Sequence, residues 1–476
     1  MTDAYEKLIA KKALRATACG LEYAPRLAKH LFPFQTVSVA HALRVGRAGL
    51  FLDTGLGKTE CQLEFSKHAM KATNGRSLIL TPLAVAQQTA KRAERWGYEA
   101  RVIRDMTTAG KGINICNYDR LGKLDPSFFG SVCLDEASIL KSFAGKTRNS
   151  LVDAFEGIRF KLVATATPAP NDHMELGNYA EFLEIMQMKE MLSRWFINDT
   201  STASQEWRLK QHAQSDFWAW MASWSRAAAM PSDLGDDDRK FVLPKLTTVY
   251  HESPRSETKV KLPKGFLFAD AFSSTSMHEI KRQTSDARAK VVASVVRAEP
   301  KETWLVWVDT DYDAEAIKKV LPEITEVRGS MSIDEKETKL DAFSNGSVRW
   351  LLSKPSICGH GLDWSHCARM IFAGRSYSYE TYYQAVRRCW RFGQKREVKV
   401  HLVIAEGERA INKVIERKEK AHVEMKKAMR LAMKQETTSA SVRDAYVPTH
   451  EGALPQWFHV PKKRTAKIGR LTKETV

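Results

Sequence analysis

The sequence predicts an α/β protein: two tandem parallel sheets flanked by helices, a helical Trp-rich insertion between them, and a basic C-terminal tail. Three observations predict it. Short apolar runs at 48–52, 77–81, 113–116, 131–134 and 161–164 alternate with helix-like stretches such as 84–96. The same scheme returns at 303–308, 326–328, 350–352, 370–372 and 398–404. Alternation of this kind joins strands by helical crossovers, so the strands run parallel and helices cover both faces. A chain of 476 residues is also long for one core, which favours two or three domains. The boundaries read as a leader at 1–24, a first domain at 25–190, an insertion and linker at 191–265, a second domain at 266–425 and a helical, basic tail at 426–476.

The first strand runs into Thr54-Gly55-Leu56-Gly57-Lys58-Thr59, which has the form of a P-loop. Glycines let backbone N–H groups turn inward on a phosphate without a Cβ in the way. Lys58 brings a compact positive charge to the β- and γ-phosphates, and the Thr59 hydroxyl can ligate Mg²⁺. The helix expected over 59–72 presents its anion-favouring N-terminus to the same spot. The strict pattern wants glycine where this chain has Leu52.

The strand at 131–134 ends in Asp135-Glu136. An aspartate in a metal's shell and a glutamate that orients or deprotonates water are what a Mg²⁺–water site requires. A bland acidic turn explains the pair alone. The strand at 161–164 runs into Thr165-Ala166-Thr167-Pro168. Much later, the run from Gln384 to Gln394 holds Arg388 and Arg391, three apart and so on one helical face. A planar, permanently charged guanidinium suits the charge on a transferring phosphoryl. Arg387 stands outside that pair and reads as its neighbouring control. A solvated basic face explains the arginines alone, but four such elements in this order make chance a poor account.

In this order the elements resemble the superfamily 2 helicases and translocases, and among them the Swi/Snf-type ATPases, from about Phe32 to about Glu406. The compact form is similar to helicases carried by bacteriophages. Thr54 to Thr59 matches motif I, Asp135-Glu136-Ala137-Ser138 motif II, and Thr165 to Pro168 motif III, which in that family couples nucleotide state to nucleic-acid grip. Thr81 falls in a stretch like motif Ia, Asn117 in one like motif Ib, and Gly361 in one like motif V. The run from Gln384 through Phe392-Gly393-Gln394 is close to motif VI, with Arg388 and Arg391 at its arginine positions. Gln35 lies where the family's adenine-reading glutamine lies. Leu52, Asp53 and Ser138 depart from the commoner boxes.

The resemblance implies two RecA-like domains with ATP and Mg²⁺ in the cleft between them. It gives Lys58, Glu136, Arg388 and Arg391 catalytic roles, and Gln35, Thr54, Gly55, Leu56, Gly57, Lys58 and Thr59 nucleotide-binding roles. Thr59 and Asp135 would hold the metal. Thr81, Asn117, Thr165, Thr167, Gly361 and Gln384 would contact nucleic acid or couple it to the nucleotide. The implied activity is that of a DNA helicase or double-stranded DNA translocase. An RNA helicase, an ATP-gated DNA clamp and a subunit of a nuclease complex are the alternatives.

Composition agrees. Seventy-four Lys+Arg against 56 Asp+Glu give a net charge of +18, an excess that favours a polyanionic partner such as a phosphate backbone. Seven cysteines without framework spacing suggest reduced thiols and a cytoplasmic setting, the host's cytoplasm if the origin is a phage. The start lacks the apolar core of a secretion signal, and no run approaches the length needed to span a bilayer.

Within 191–245, Phe217, Trp220, Met221 and Trp224 recur at helical spacing and read first as core, with a base-stacking or partner-gripping surface as the sharper alternative. Two metal patterns fail on spacing: Cys358, His360, His366 and Cys367 for zinc, and Asp309, Asp311 and Asp313 for calcium. A strand-end turn with helix-capping aspartates suffices for the second. The basic tail residues Lys462, Lys463, Arg464, Lys467, Arg470 and Lys473 are placed to touch phosphates.

Overall fold

The computed structural model describes residues 15–82, 85–141, 145–169, 172–199, 206–253, 281–358, 362–374, 378–405 and 409–438. Gly361 and the basic residues of the tail lie outside these. In chain order the first half carries β1 (Arg47–Leu52), β2 (Arg76–Thr81), β3 (Ala100–Val102), β4 (Gly112–Asn117), β5 (Ser131–Asp135) and β6 (Phe160–Ala164). A hairpin of β7 (Phe196–Asp199) and β8 (Glu206–Leu209) follows, then β9 (Ser225–Ala228) and β10 (Leu246–Glu252). The second half adds β11 (Trp304–Trp307), β12 (Thr325–Val327), β13 (Trp350–Ser353), β14 (Arg369–Phe372) and β15 (Val398–Ile404).

Two parallel sheets result, and the architecture is that of tandem RecA-like domains. The first has seven strands in the order β3-β4-β2-β5-β6-β1-β9, the second six in the order β10-β15-β14-β11-β13-β12. Every ladder in them is parallel; among the described residues only β7 and β8 pair antiparallel. The central strands are apolar on both faces because helices cover both. Along β1, Phe51 joins one core while Leu50 and Leu52 join the other; along β5, Val132 and Leu134 oppose Cys133 in the same way. The second sheet repeats this, with Leu305 and Trp307 on one side and Trp304 and Val306 on the other.

All ten strands read from apolar runs are present within a residue or two of the expected bounds. The other five carried weaker signals. β9 reads Ser-Arg-Ala-Ala, and β10 is an edge strand whose exposed and half-buried residues alternate. Both lie in the stretch read as insertion and linker, β9 beside β1 in the first sheet and β10 beside β15 in the second. The helix Gln214–Trp224, just before β9, buries Phe217, Trp220, Met221 and Trp224 in a core of the first sheet, so these are packing residues.

The helix Arg409–Thr438 follows β15 yet returns to the first sheet: Met425, Met429 and Met433, four apart on one face, are buried in that same core. At the calcium-like turn, the N-cap of the helix Asp311–Val320 is Thr310 and not an aspartate; Asp313 pairs with the buried Arg288. Among the described residues no three His, Cys, Asp or Glu side chains gather as for a metal ion, and no helix is long and apolar enough to cross a membrane.

Candidate active site

The sheet order decides what meets what. β1 pairs with β6 and β6 with β5, so the loop after β1, the Asp-Glu pair after β5 and the threonines after β6 emerge side by side at the carboxyl ends of parallel strands. Such ends are where open α/β sheets take ligands. The loop 53–57 leads into the helix Lys58–Lys71. Gly57 has φ +75°, and a Cβ there would sit 2.2 Å from Gln35 Nε2, so only glycine fits. That amide donates to the Leu56 carbonyl at 3.0 Å, fixing the loop from the first helix, Pro33–Val45. Gly55, at φ +90°, is approached from the second half: a Cβ would meet the Phe392 backbone nitrogen at 3.0 Å.

Lys58 opens its helix and gives Nζ to the Leu52 carbonyl at 3.1 Å. Burial lowers its pKa, against the charges of Glu136 and Asp135. Asp135 Oδ1 accepts from Gln62 Nε2 at 2.7 Å, and its carbonyl accepts from the Tyr118 hydroxyl at 2.7 Å. Burial and the neighbouring Glu136 carboxylate raise the Asp135 pKa, the state of a carboxyl that gains from a cation. Glu136 has φ +49°, a left-handed conformation that a non-glycine residue holds at a cost. Its Oε2 is buried and has no hydrogen-bond partner among the described residues.

From the second half, Arg388 and Arg391 enter the same cleft of about 460 Å³ as Gln35, Lys58, Thr59, Asp135 and Glu136. The two arginines differ. Arg388 is fully committed: Nε to the Gln384 carbonyl at 3.0 Å, Nη1 to the Leu362 carbonyl at 3.2 Å, and Nη2 to Gln384 Oε1 at 3.1 Å. Burial and the charge of Arg391 push its pKa down to about 10. Arg391 gives Nη1 to Leu362 at 2.9 Å and lies 3.5 Å from Asp363, while its buried Nε makes no hydrogen bond. Phe32, Phe241 and Phe392 form an aromatic wall of the cleft, with ring centroids 5.1 and 5.0 Å apart in sequence. Phe241 belongs to the stretch read as linker.

The remaining expected residues stand elsewhere. Thr165 and Thr167 follow β6 without lining the cleft; the Thr165 hydroxyl accepts from the Thr167 N–H at 3.2 Å, and Thr167 faces a polar junction with the second half. There, Thr167 Oγ1 donates to Glu380 Oε1 at 3.4 Å and Gln384 Nε2 reaches Thr167 Oγ1 at 3.5 Å; Glu380 also pairs with Lys141. Thr81 and Asn117 end β2 and β4 as partners in register, outside the cleft. Four residues packed behind the nucleotide loop, outside the cleft itself, had not been singled out: Asp53, Tyr383, Arg387 and Lys426. Arg387 is not the bystander expected from the motif, since Nη2 donates to the Thr54 carbonyl at 2.6 Å. The departure of Asp53 from the usual loop sequence was a signal in the sequence; Lys426, in a basic helix, gave none.

Residues 287–393 match the family described as the helicase conserved C-terminal domain. The chain is 23% identical over 432 residues to "Putative protein p41" of Acyrthosiphon pisum secondary endosymbiont phage 1, covering 78% of this chain and 92% of that protein. Among solved structures it is similar to the Sulfolobus solfataricus SWI2/SNF2 ATPase core in complex with dsDNA, with 15% identity and a TM-score of 0.41 over 88% of this chain and 97% of that one. Residues 287–393 thus carry a helicase conserved C-terminal domain on the second sheet, which faces a P-loop and an Asp-Glu pair on the first, and in this the chain resembles the superfamily 2 helicases and translocases, nucleic-acid-dependent ATPases.

Proposed function

We propose that this chain is an ATP-driven motor on DNA, a helicase or double-stranded DNA translocase that hydrolyses ATP to ADP and phosphate. The observation that carries the reading is the convergence of Lys58 and Glu136 from the first half with Arg391 from the second on one cleft. A domain spanning 25–190 would grip the nucleotide, and one spanning 266–425 would close over it. The glycine cradle at 55–57 and the lysine suit a triphosphate, with the base against the aromatic wall and Gln35 near it. Thr59 and Asp135 are hard oxygen donors that fit Mg²⁺ and would hold it, and the ion would supply positive charge against the phosphates. The unpartnered Glu136 oxygen suits a water that attacks the terminal phosphorus, taking or orienting its proton. Arg391 would stabilise charge on the transferring group, acting on the transition state more than on bound ATP.

An ATP-gated clamp or an accessory subunit of a nuclease complex needs neither a water-handling carboxylate nor an arginine aimed at it. The choice of DNA over RNA rests on the Swi/Snf form of motif VI. Similarity to a phage protein supports a place in a host's cytoplasm. The test is ATPase activity with double-stranded DNA, single-stranded DNA or RNA. Duplex DNA is expected to stimulate most, and its binding to weaken steeply with salt, since counterion release dominates the affinity of a chain with charge +18. Glu136→Gln should bind nucleotide and turn over at least about 10²-fold more slowly, because only the handling of the water is lost. Stimulation by RNA alone would overturn the DNA reading, and full turnover in Glu136→Gln the catalytic one.

A further inference from the structure

The residue before the P-loop does something the motifs do not require. Asp53 Oδ1 accepts from the Thr54 backbone N–H at 2.6 Å and from the Tyr383 hydroxyl, and it lies 3.3 Å from Arg387 Nη2. Its other oxygen accepts from Lys426 Nζ at 3.2 Å, and that ammonium also donates to the Tyr383 hydroxyl at 3.2 Å. One carboxylate therefore meets groups from three elements: the nucleotide loop, the motif VI segment and the C-terminal helix. The carboxylate, guanidinium and ammonium are 14%, 7% and 15% exposed, so solvent screens them little. Burial opposes the Asp53 charge, but Arg387 and Lys426, with the two hydrogen bonds, hold its pKa well below the usual range.

The cluster is aimed at the loop and not merely placed between halves. Arg387 spends its Nη2 on the Thr54 carbonyl as well as on Asp53, so the N–H and the carbonyl of Thr54 are both held, one by Asp53 and the other by Arg387. The C-terminal helix also grips the neighbouring strand end. Four residues beyond Lys426, Arg430 Nε bonds Asp233 at 2.7 Å, and Asp233 accepts from the Ala229 and Met230 N–H groups just after β9. The Asp53 N–H in turn donates to the Ala228 carbonyl at 2.9 Å. Met425, Met429 and Met433 seat this helix in the first core, so its two cations are presented at fixed positions.

We propose that Asp53 is a positioning residue of the nucleotide loop, and that Lys426 of the C-terminal helix, with Arg387 and Tyr383, sets through it the loop geometry needed for hydrolysis. The proposal rests on the ATPase reading. Asp53 does not line the cleft, so it acts through Thr54 and the backbone amides that follow. Loop amides a fraction of an ångström out of place still bind phosphates. They no longer present them in register with Arg391 and Glu136, and misplacement of about 1 Å costs on the order of 10²-fold in rate.

The experiment compares Asp53→Asn, Lys426→Gln, their double variant and Lys426→Arg in the full chain. Readouts are ATP turnover on saturating duplex DNA, affinity for a fluorescent ADP analogue, melting temperature, and hydrogen exchange of the 53–59 amides. The proposal expects kcat to fall about tenfold or more in both single variants with nucleotide affinity within about threefold, the double variant no worse than either single, and Lys426→Arg near wild type. Faster exchange of the 53–59 amides should accompany the loss. Wild-type kcat in Asp53→Asn, or losses that multiply in the double variant, would overturn it, as would a fall in melting temperature with unchanged loop exchange. Should Asp53→Asn not fold, Lys426→Gln decides by the same criteria. A wild-type protein without ATPase activity sinks the ATPase reading, and the exchange of the loop in Lys426→Gln then decides whether the cluster orders it.

Discussion

Arg388 and Arg391 occupy equivalent places in a motif and unequal places in the molecule. Every nitrogen of Arg388 is hydrogen-bonded within the second half, two of them to Gln384, whereas Arg391 gives Nη1 to Leu362 and its Nε faces the Asp363 carboxylate at 3.5 Å without a hydrogen bond. On the proposed function, the second is the one that would act on charge developing during reaction. Arg391→Ala is expected to reduce nucleic-acid-stimulated turnover by about 10³-fold or more while nucleotide affinity holds, and Arg391→Lys should restore little, because an ammonium lacks the planar fork. Arg388→Ala should also lower stability by about 1–3 kcal/mol, since it takes the guanidinium away from the buried Gln384 Oε1 and Gln384 carbonyl and leaves Leu362 to Arg391 alone. Equal melting temperatures of the two alanine variants would contradict this division. The motif was legible because adjacent residues of fixed type must act together. The division was not: it depends on the Leu362 carbonyl, 26 and 29 positions away along the chain.

The helix Lys58–Lys71 carries the P-loop at one end and a buried anchor in its middle. Glu64 accepts from the Ala28 N–H at 2.9 Å and the Tyr98 hydroxyl at 2.7 Å, and pairs with His68 at 3.0 Å and Lys67 at 3.3 Å. Burial works against its charge, yet His68, Tyr98, Lys67 and the Ala28 amide bring its pKa down to about 2. A carboxyl whose pKa is depressed by folding contributes stability that is present above its unfolded value and lost as pH falls through the folded one. Wild-type stability should thus decline between about pH 4.5 and pH 2, and Glu64→Gln should flatten that part of the profile while lowering stability near neutrality. Urea unfolding across that range measures both, and parallel profiles for the two proteins would exclude Glu64 as the anchor. None of this was readable from sequence, since Glu64 looks like any helix-surface glutamate. The strands were readable because burial on both faces demands continuous apolar runs. β9 escaped because Ser-Arg-Ala-Ala is no apolar run: its Arg226 is buried with Nη1 on the Ala222 and Ser225 carbonyls.

At the scale of the whole molecule, the two sheets meet through more than the nucleotide cleft. The loop after β6 touches the helix Tyr379–Val386, where Thr167 donates to Glu380 at 3.4 Å and accepts from Gln384 at 3.5 Å. Gln384 is also the residue that holds Arg388, at 3.1 Å. A polar chain therefore runs from the first sheet through Thr167 and Gln384 to the arginines, and Glu380 ties it to Lys141. The two contacts of Thr167 are long for hydrogen bonds, so each is weak and readily exchanged when the halves shift. A link of that kind suits reporting between states better than holding one of them. Thr167→Val keeps the shape and removes only the hydroxyl. Nucleotide affinity and basal turnover should stay near wild type, because Thr167 does not line the cleft. Turnover on saturating duplex DNA should fall about three- to tenfold, the worth of one net hydrogen bond of about 0.5–1.5 kcal/mol felt only in the coupled state. Gln384→Ala should lose more, since it also frees Arg388, and adding Thr167→Val to it should do little further. If Thr167→Val lowers basal and stimulated turnover by the same factor, the junction serves folding alone, and the two halves communicate only through the nucleotide between them.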